Sequence, residues 1–318
     1  MKQIVFNVGG ALSTYIEFNN KTLLIDIGKS NDFNPVIDFL LPLYTKRDAE
    51  KNASDKYKID QLLISHPHKD HISAIEDFNK YFYPELLTTP NDNNGMEQNE
   101  LINWKKIGNE DDSSIIKLKE MLKGRTPPLR TADAHNEYIY YIPPKEVEND
   151  KVLSLESYPN NISIAVFLVI NNHSIFLPGD IQKEGMKKII DDKISLQERL
   201  KRGVDVLITP HHGLQSSFST YLFEKMKNGK TRSINIVSEK ANDPDNSRTV
   251  DTRYSRTEYC MGKNNLEGGN GIDKCYQIKT SRGHIFIDYN QTSNPFFYID
   301  SDIKTSINRF LGQRVVLK

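Results

Sequence analysis

The sequence predicts a mixed α/β protein, and three observations carry that expectation. Strand-like segments fill the first sixty residues. Two continuous apolar segments, 61–65 and 204–208, each run straight into a histidine cluster. Stretches of helical period follow those clusters. Residues 3–8 alternate around Ile4, Phe6 and Val8, and segments 14–18 and 22–26 pair across the turn Asn19-Asn20-Lys21. Residues 34–43 read as a short apolar helix or turn, 49–58 as charged and exposed, and 61–65 as a buried strand. Ile72, Ile75, Phe78 and Phe82 predict one helix over 72–82. Residues 90–112, rich in Asn, Asp and Gly, read as a surface insertion. A helix over 113–123 follows, capped by Ser113 or Ser114 and stopped by Gly124. Strands are expected at 138–142, 162–170 and 174–177, the last two forming a hairpin across Asn171-Asn172-His173. Helices at 184–192 and 195–202, the strand 204–208 and a helix at 217–227 come next. Strands at 233–238, 275–279 and 284–289 and a helix at 302–311 complete the chain, with 242–271 a long polar loop.

Composition removes several classes of function. Lys plus Arg and Asp plus Glu balance at 42 each, which excludes a polycation and an acidic-tail protein but leaves room for a local basic groove. The 15 Tyr and 14 Phe are spread along the chain, so disorder throughout is excluded. Apolar runs such as 165–170 are too short to span a bilayer, and the N-terminus has no apolar region of signal-peptide length, so no membrane association is expected. Two cysteines, Cys260 and Cys275, supply neither a disulfide framework nor a four-cysteine zinc site, which suits a reducing cytoplasm and core packing.

The chemistry concentrates in five of the eight histidines. His66-Pro67-His68-Lys69-Asp70-His71 stands between an apolar strand and a helix. A strand ending in a tight turn throws polar side chains to one rim, where His66 and His68 can share one cation and Asp70 and His71 can serve a second. Imidazole and carboxylate suit zinc and also manganese. Pro178-Gly179-Asp180 follows another strand. Alone it is a turn; beside the first cluster, Asp180 becomes a candidate ligand. His211-His212-Gly213 repeats the logic of a histidine pair at a strand end. His173 in its turn is expected to face solvent, His284 to be structural, and His135 to lie on the surface.

The His-x-His-x-Asp-His pattern resembles the defining motif of the metallo-β-lactamase superfamily. Residues 62–71, 176–180 and 205–213 together resemble one branch, the cytoplasmic metallo-β-lactamase-like domain of the bacterial competence protein ComEC and free-standing relatives. Val8-Gly9-Gly10, the run 23–28, Asn160-Asn161-Ile162-Ser163 and a closing hairpin at 275–289 extend the likeness. The sequence departs from that pattern at Leu214, where the family has Ser, and at Asp245-Asn246, where His-Pro would follow Asn242. Asn160 or Asn161 stands near the place of the superfamily's middle histidine ligand.

The resemblance implies an αββα sandwich, two mixed sheets face to face with helices outside. It covers residues 1–290, with 85–135 a surface insertion and 291–318 a strand and helix extension. It also implies a hydrolase holding one or two divalent ions, zinc or manganese, through His66, His68, Asp70, His71, Asp180 and His211. Asp70 and His212 are the expected catalytic groups, His212 as the acid for the leaving oxygen, and Asp26 is a candidate to orient a ligand histidine. The leading expectation is a phosphodiesterase or nuclease whose partner is nucleic acid or another phosphodiester. The alternatives are a hydrolase of a lactone, thioester or cyclic nucleotide, and a non-catalytic member that binds nucleic acid or a protein.

Overall fold

The apolar runs become strands buried on both faces. In chain order these are β1 (Lys2–Val5), β2 (Ser13–Phe18), β3 (Lys21–Ile27), β4 (Tyr57–Leu63), β5 (Phe82–Thr88), β6 (Glu137–Tyr140) and β7 (Ala165–Ile170). They continue with β8 (His173–Leu177), β9 (Val206–Ile208), β10 (Ile234–Val237), β11 (Gln277–Lys279), β12 (His284–Asp288) and β13 (Phe296–Asp300). The computed structural model describes residues 1–91, 101–123, 137–226, 233–239, 249–260, 277–290 and 295–313. Among these, a seven-stranded sheet runs β13-β12-β1-β2-β3-β4-β5 and a six-stranded sheet runs β11-β10-β9-β8-β7-β6. Both are mixed: β3, β4 and β5 are parallel, as are β8, β9, β10 and β11, while the remaining pairs are antiparallel.

The period of two along each strand assigns its side chains to two layers. Val5, Ile16, Leu23, Ile25 and Leu63 meet Val166, Leu168, Ile175, Val206 and Ile236 between the sheets. Their neighbours Ile4, Tyr15, Leu24 and Leu62 point outward into the layer that the helices cover. There Phe39 packs edge-on against Phe6 and Phe310, and Met186, Ile189 and Leu196 of the helices Lys183–Asp192 and Ile194–Arg202 are fully buried. Burial on both faces is why β4, β7 and β9 read as continuous apolar runs rather than alternating ones. The result is the two-sheet sandwich with helices that the resemblance implied. The segment 295–313 is integral to it: β13 pairs with β12, and the helix Ile303–Phe310 places Phe310 against Tyr15. No helix among the described residues is long and apolar enough to cross a membrane.

Several local expectations give way. The helix expected over 72–82 is two short helices, Lys69–Ile72 and Ile75–Tyr81, and Phe82 opens β5. β5 lies at a sheet edge, where Pro84 costs no ladder hydrogen bond. The helix Ser113–Leu122 is capped by Asp112, whose carboxylate accepts from the Ser114 amide, rather than by a serine. A helix at Lys151–Asn161, kinked at Ser157, precedes β7 in a stretch to which the sequence assigned no element. The helix expected from residue 217 begins at Thr220, because Ser219 caps it. His173 does not face solvent. The turn is Asn171-Asn172, both left-handed, so His173 is already the first residue of β8 and is buried. Segments 277–279 and 284–288 form no hairpin, since β11 joins β10 in one sheet while β12 joins β1 in the other. Cys260 is buried, as expected; Cys275, His135, Asn242 and Asp245-Asn246 lie outside the described residues.

At the far edge of the sandwich, the Glu137 carboxyl of β6 accepts from Gln61 Nε2 of β4 at 3.1 Å. Burial pushes its pKa up to about 7, against the opposing pull of Gln61 and Lys21. A carboxyl whose folded pKa exceeds its unfolded value contributes stability at low pH and loses it as pH rises, here between about 4.5 and 7. Glu137→Gln should therefore stabilise the fold at pH 8 by roughly 1–3 kcal/mol and much less at pH 5, as measured by denaturant unfolding at the two pH values.

Candidate metal centre

Parallel pairing sets the site. β3 and β4 run side by side, as do β8 and β9, so their C-terminal ends deliver Asp26, His66, Asp180 and His211 to one rim of the sandwich. The Ile164 amide donates to Ser65 O across the two sheets at 2.9 Å, and the His211 amide to Gly179 O at 3.1 Å, which ties these loops together.

After β4 the chain turns through Pro67, and His68 becomes the N-terminal flanking residue of the helix Lys69–Ile72. His66 is fully buried, with Nε2 3.0 Å from His68 Nδ1. His71, one turn on, places Nδ1 2.8 Å from Asp26 Oδ2. Asp26 is itself buried and left-handed (φ 55°), and it also accepts from the Ser65 amide and hydroxyl, each at 2.7 Å. With Nδ1–H given to Asp26, His71 turns Nε2 toward Asp180 Oδ2 at 3.3 Å. The close approach of this loop to β3 needs a glycine at position 28, where a Cβ would fall 2.0 Å from Asp70 O.

Asp180 follows Gly179, whose φ of 60° and contact with Ser163 and Ser65, about 3 Å from where a Cβ would sit, exclude a side chain. A single carboxylate oxygen, Asp180 Oδ2, then faces four imidazoles. Besides His71, it lies 3.7 Å from His212 Nε2, 3.8 Å from His66 Nε2 and 3.9 Å from His211 Nε2. His212 Nε2 is also 3.4 Å from Asp70 Oδ2. Both His211 and His212 are left-handed (φ 48° and 56°), a conformation that costs a non-glycine residue free energy and that here aims both rings inward.

Burial works against charge throughout the cluster, and the neighbours decide each outcome. It takes His66, His68 and His211 down, His66 well below the usual imidazole range, so these three rings offer lone pairs. It also opposes charge on Asp180 and Asp70, yet His71 and His212 hold both carboxyls below their ordinary value. His71 is held well above the imidazole range despite burial, by Asp180, Asp26 and Asp70; His212 is raised by Asp180 and Asp70 in the same way. Burial alone raises Asp26, against the pull of His71.

This donor set fits divalent cations. His71 Nε2, Asp180 Oδ1 and both ring nitrogens of His212 are buried without a hydrogen-bond partner. The groups His66, His71, Asp180 and Asp70, His71, His212 each bring three ligand atoms within 4.8 Å of one another. Every site residue expected from the sequence is thus at this rim. Ser65 was not singled out, although its hydroxyl reaches Asp26, His66 and His71; only its place beside the first cluster hinted at it. His173 and His284 stay outside, the latter buried against Phe33 and accepting from the Asn7 amide.

The model of the metallo-beta-lactamase superfamily matches residues 6–223. The chain belongs to that superfamily. Its members are typically hydrolases that bind divalent metals. Comparison with curated proteins gives no match. Among solved structures, the chain is similar to the metallo-beta-lactamase fold protein YhfI from Bacillus subtilis (15% identity, 78% of this chain and 90% of that chain, TM-score 0.38). It is also similar to an isothiocyanate hydrolase from Delia radicum gut bacteria (10%, 80% and 89%, TM-score 0.38) and to a diphosphatase from the PhnP family (13%, 76% and 88%, TM-score 0.35). Membership rests on the family match and the motif, not on these distant likenesses.

Metal-free protein should gain thermal stability when Zn²⁺ or Mn²⁺ is added, by about 2.7 kcal/mol for an ion at 100 times its Kd. Asp180→Asn should remove most of that gain, and Asp26→Asn should weaken metal affinity roughly 10–100-fold by freeing His71. Thermal denaturation with and without the ion reads both effects; an Asp180→Asn protein with the full gain would reduce Gly179-Asp180 to a turn.

Proposed function

We propose that the chain is a two-metal hydrolase of phosphodiesters, with nucleic acid as its substrate class. The observation that carries this reading is the Asp180 oxygen faced by four imidazoles, flanked on one side by His66 and His68 and on the other by Asp70. Two cations held about that oxygen would supply an activated water and neutralise charge developing on the phosphoryl oxygens. The chain's own groups do the rest. Asp26 keeps the His71 Nδ1 proton and fixes the ring. His66 lends a lone pair, because burial keeps its ring uncharged. His212 turns Nε2 to Asp70 and Asp180, so we assign it to the cation rather than to protonating the leaving oxygen. Oxygen-rich phosphates suit a centre of imidazole and carboxylate donors, and the His-His-Gly element favours the competence-protein branch over antibiotic hydrolysis.

One observation favours a small-molecule substrate instead. Lys69, beside the metal ligands, pairs with Asp112 at 2.8 Å, which fastens the helix Ser113–Leu122 of the insertion to the metal-binding loop. A centre that this segment covered would suit a lactone, thioester or cyclic nucleotide. A non-catalytic role fits least, because an uncompensated cluster of buried carboxylates and imidazoles is costly to keep.

With Mn²⁺ or Zn²⁺ present, the protein should cleave single-stranded or duplex DNA or a model phosphodiester ahead of a lactone or β-lactam. His66→Ala, run beside it to exclude contaminating nuclease, should lose the activity by orders of magnitude. Zero net charge means that binding depends on local cations, so affinity for DNA should fall as salt rises. Turnover of the lactone or β-lactam with no phosphodiester cleaved would replace this reading with the small-molecule one.

A further inference from the structure

The superfamily's middle histidine ligand has no counterpart in this sequence, where Asn160-Asn161 stand near its place. The two amides prove to have different duties. Asn161 is spent on structure: its Oδ1 accepts from the Gln182 amide at 3.0 Å, and its Nδ2 donates to Leu153 O at 3.1 Å and Glu156 Oε2 at 3.0 Å. Asn160 faces the centre. Its Nδ2 is 3.5 Å from His211 Nε2, and its Oδ1 is buried without a partner.

His211 has the attributes of a ligand and Asn160 only some of them. The His211 Nε2 stands 3.9 Å from the same Asp180 oxygen that His66 approaches at 3.8 Å. Its Nδ1 lies 3.2 Å from Ser216 Oγ, a partner that can take the ring proton and leave Nε2 bare. His212, the next residue, has Nε2 3.4 Å from Asp70 Oδ2 as well as 3.7 Å from Asp180 Oδ2, and the two rings lie 6.1 Å apart and inclined by 56°. The consecutive left-handed residues thus meet different partners, Asp70 for His212 and Asn160 and Ser216 for His211. A neutral amide oxygen is a weaker ligand for a transition metal than an imidazole.

Resting on the two-metal reading above, we propose that His211 Nε2, not Asn160, completes the nitrogen set of the cation bound by His66 and His68, while His212 serves the cation bound by Asp70 and His71. One dipeptide thus supplies both ions, and this replaces the missing histidine.

The test is metal stoichiometry rather than activity. Wild type and the variants His211→Ala, His211→Gln, His212→Ala and Asn160→Ala are equilibrated with Co²⁺ at buffered concentrations; bound metal is counted by mass spectrometry and the ligand-field absorption recorded. Wild type should bind two ions. Each His211 variant should keep one and bind the other at least tenfold more weakly, with loss of part of the Co²⁺ absorption; the glutamine variant guards against a folding defect in the alanine one. His212→Ala should lose the other ion, with a different spectral change. Asn160→Ala should keep both, within about threefold in affinity. Two ions retained in both His211 variants, or one lost from Asn160→Ala, overturns this assignment and leaves the hydrolase reading standing. A wild type that takes up no ion overturns both.

Discussion

The arrangement at the rim depends on one buried carboxylate. Asp180 is almost wholly excluded from water, stays ionised, and presents one oxygen to four imidazole nitrogens while its other oxygen has no partner. Isolated, such a charge costs several kcal/mol. That carboxylate favours protonation of His71 and His212, both of which it raises above the ordinary imidazole value despite their burial. A cation held here would replace such protons, so metal binding should release them and weaken as pH falls.

The fold makes that carboxylate possible through backbone geometry. Parallel pairs β3–β4 and β8–β9 end at the same rim, and the loops after them are joined by backbone hydrogen bonds rather than by side chains alone. The tight places are occupied by residues that pay for position: Gly28 under Asp70, Gly179 between two serines, and the left-handed Asp26, His211 and His212. The other left-handed non-glycine residues among those described are all Asn or Asp, so the two left-handed histidines are the unusual ones, and backbone strain of that kind points to function at this rim.

Much of this was legible in the residues. Continuous apolar runs marked β4, β7 and β9, because burial on both faces leaves no alternation to misread. The candidate metal ligands stood out because five histidines sit directly after such runs. What the sequence hid was tertiary. β5 read as the end of a helix, since Phe78 and Phe82 keep helical spacing and only the parallel partner β4 selects a strand. His173 read as a turn residue until two left-handed asparagines shortened the turn. The segments 277–279 and 284–288 read as a hairpin because nothing local records that they belong to different sheets. The roles of Asn160 and Asn161, and of His211 and His212, were also beyond reach, because adjacent residues of the same type differ only in where the backbone aims them.

The central claim is that Asp180 is shared by two cations. Crystals of the protein grown with Zn²⁺ or Mn²⁺, measured at the absorption edge of the metal, test it most directly. The account expects two anomalous peaks flanking the Asp180 carboxylate, one toward His66 and His68 and one toward Asp70 and His71. A fully loaded crystal with a single peak, or with none at this rim, would contradict it.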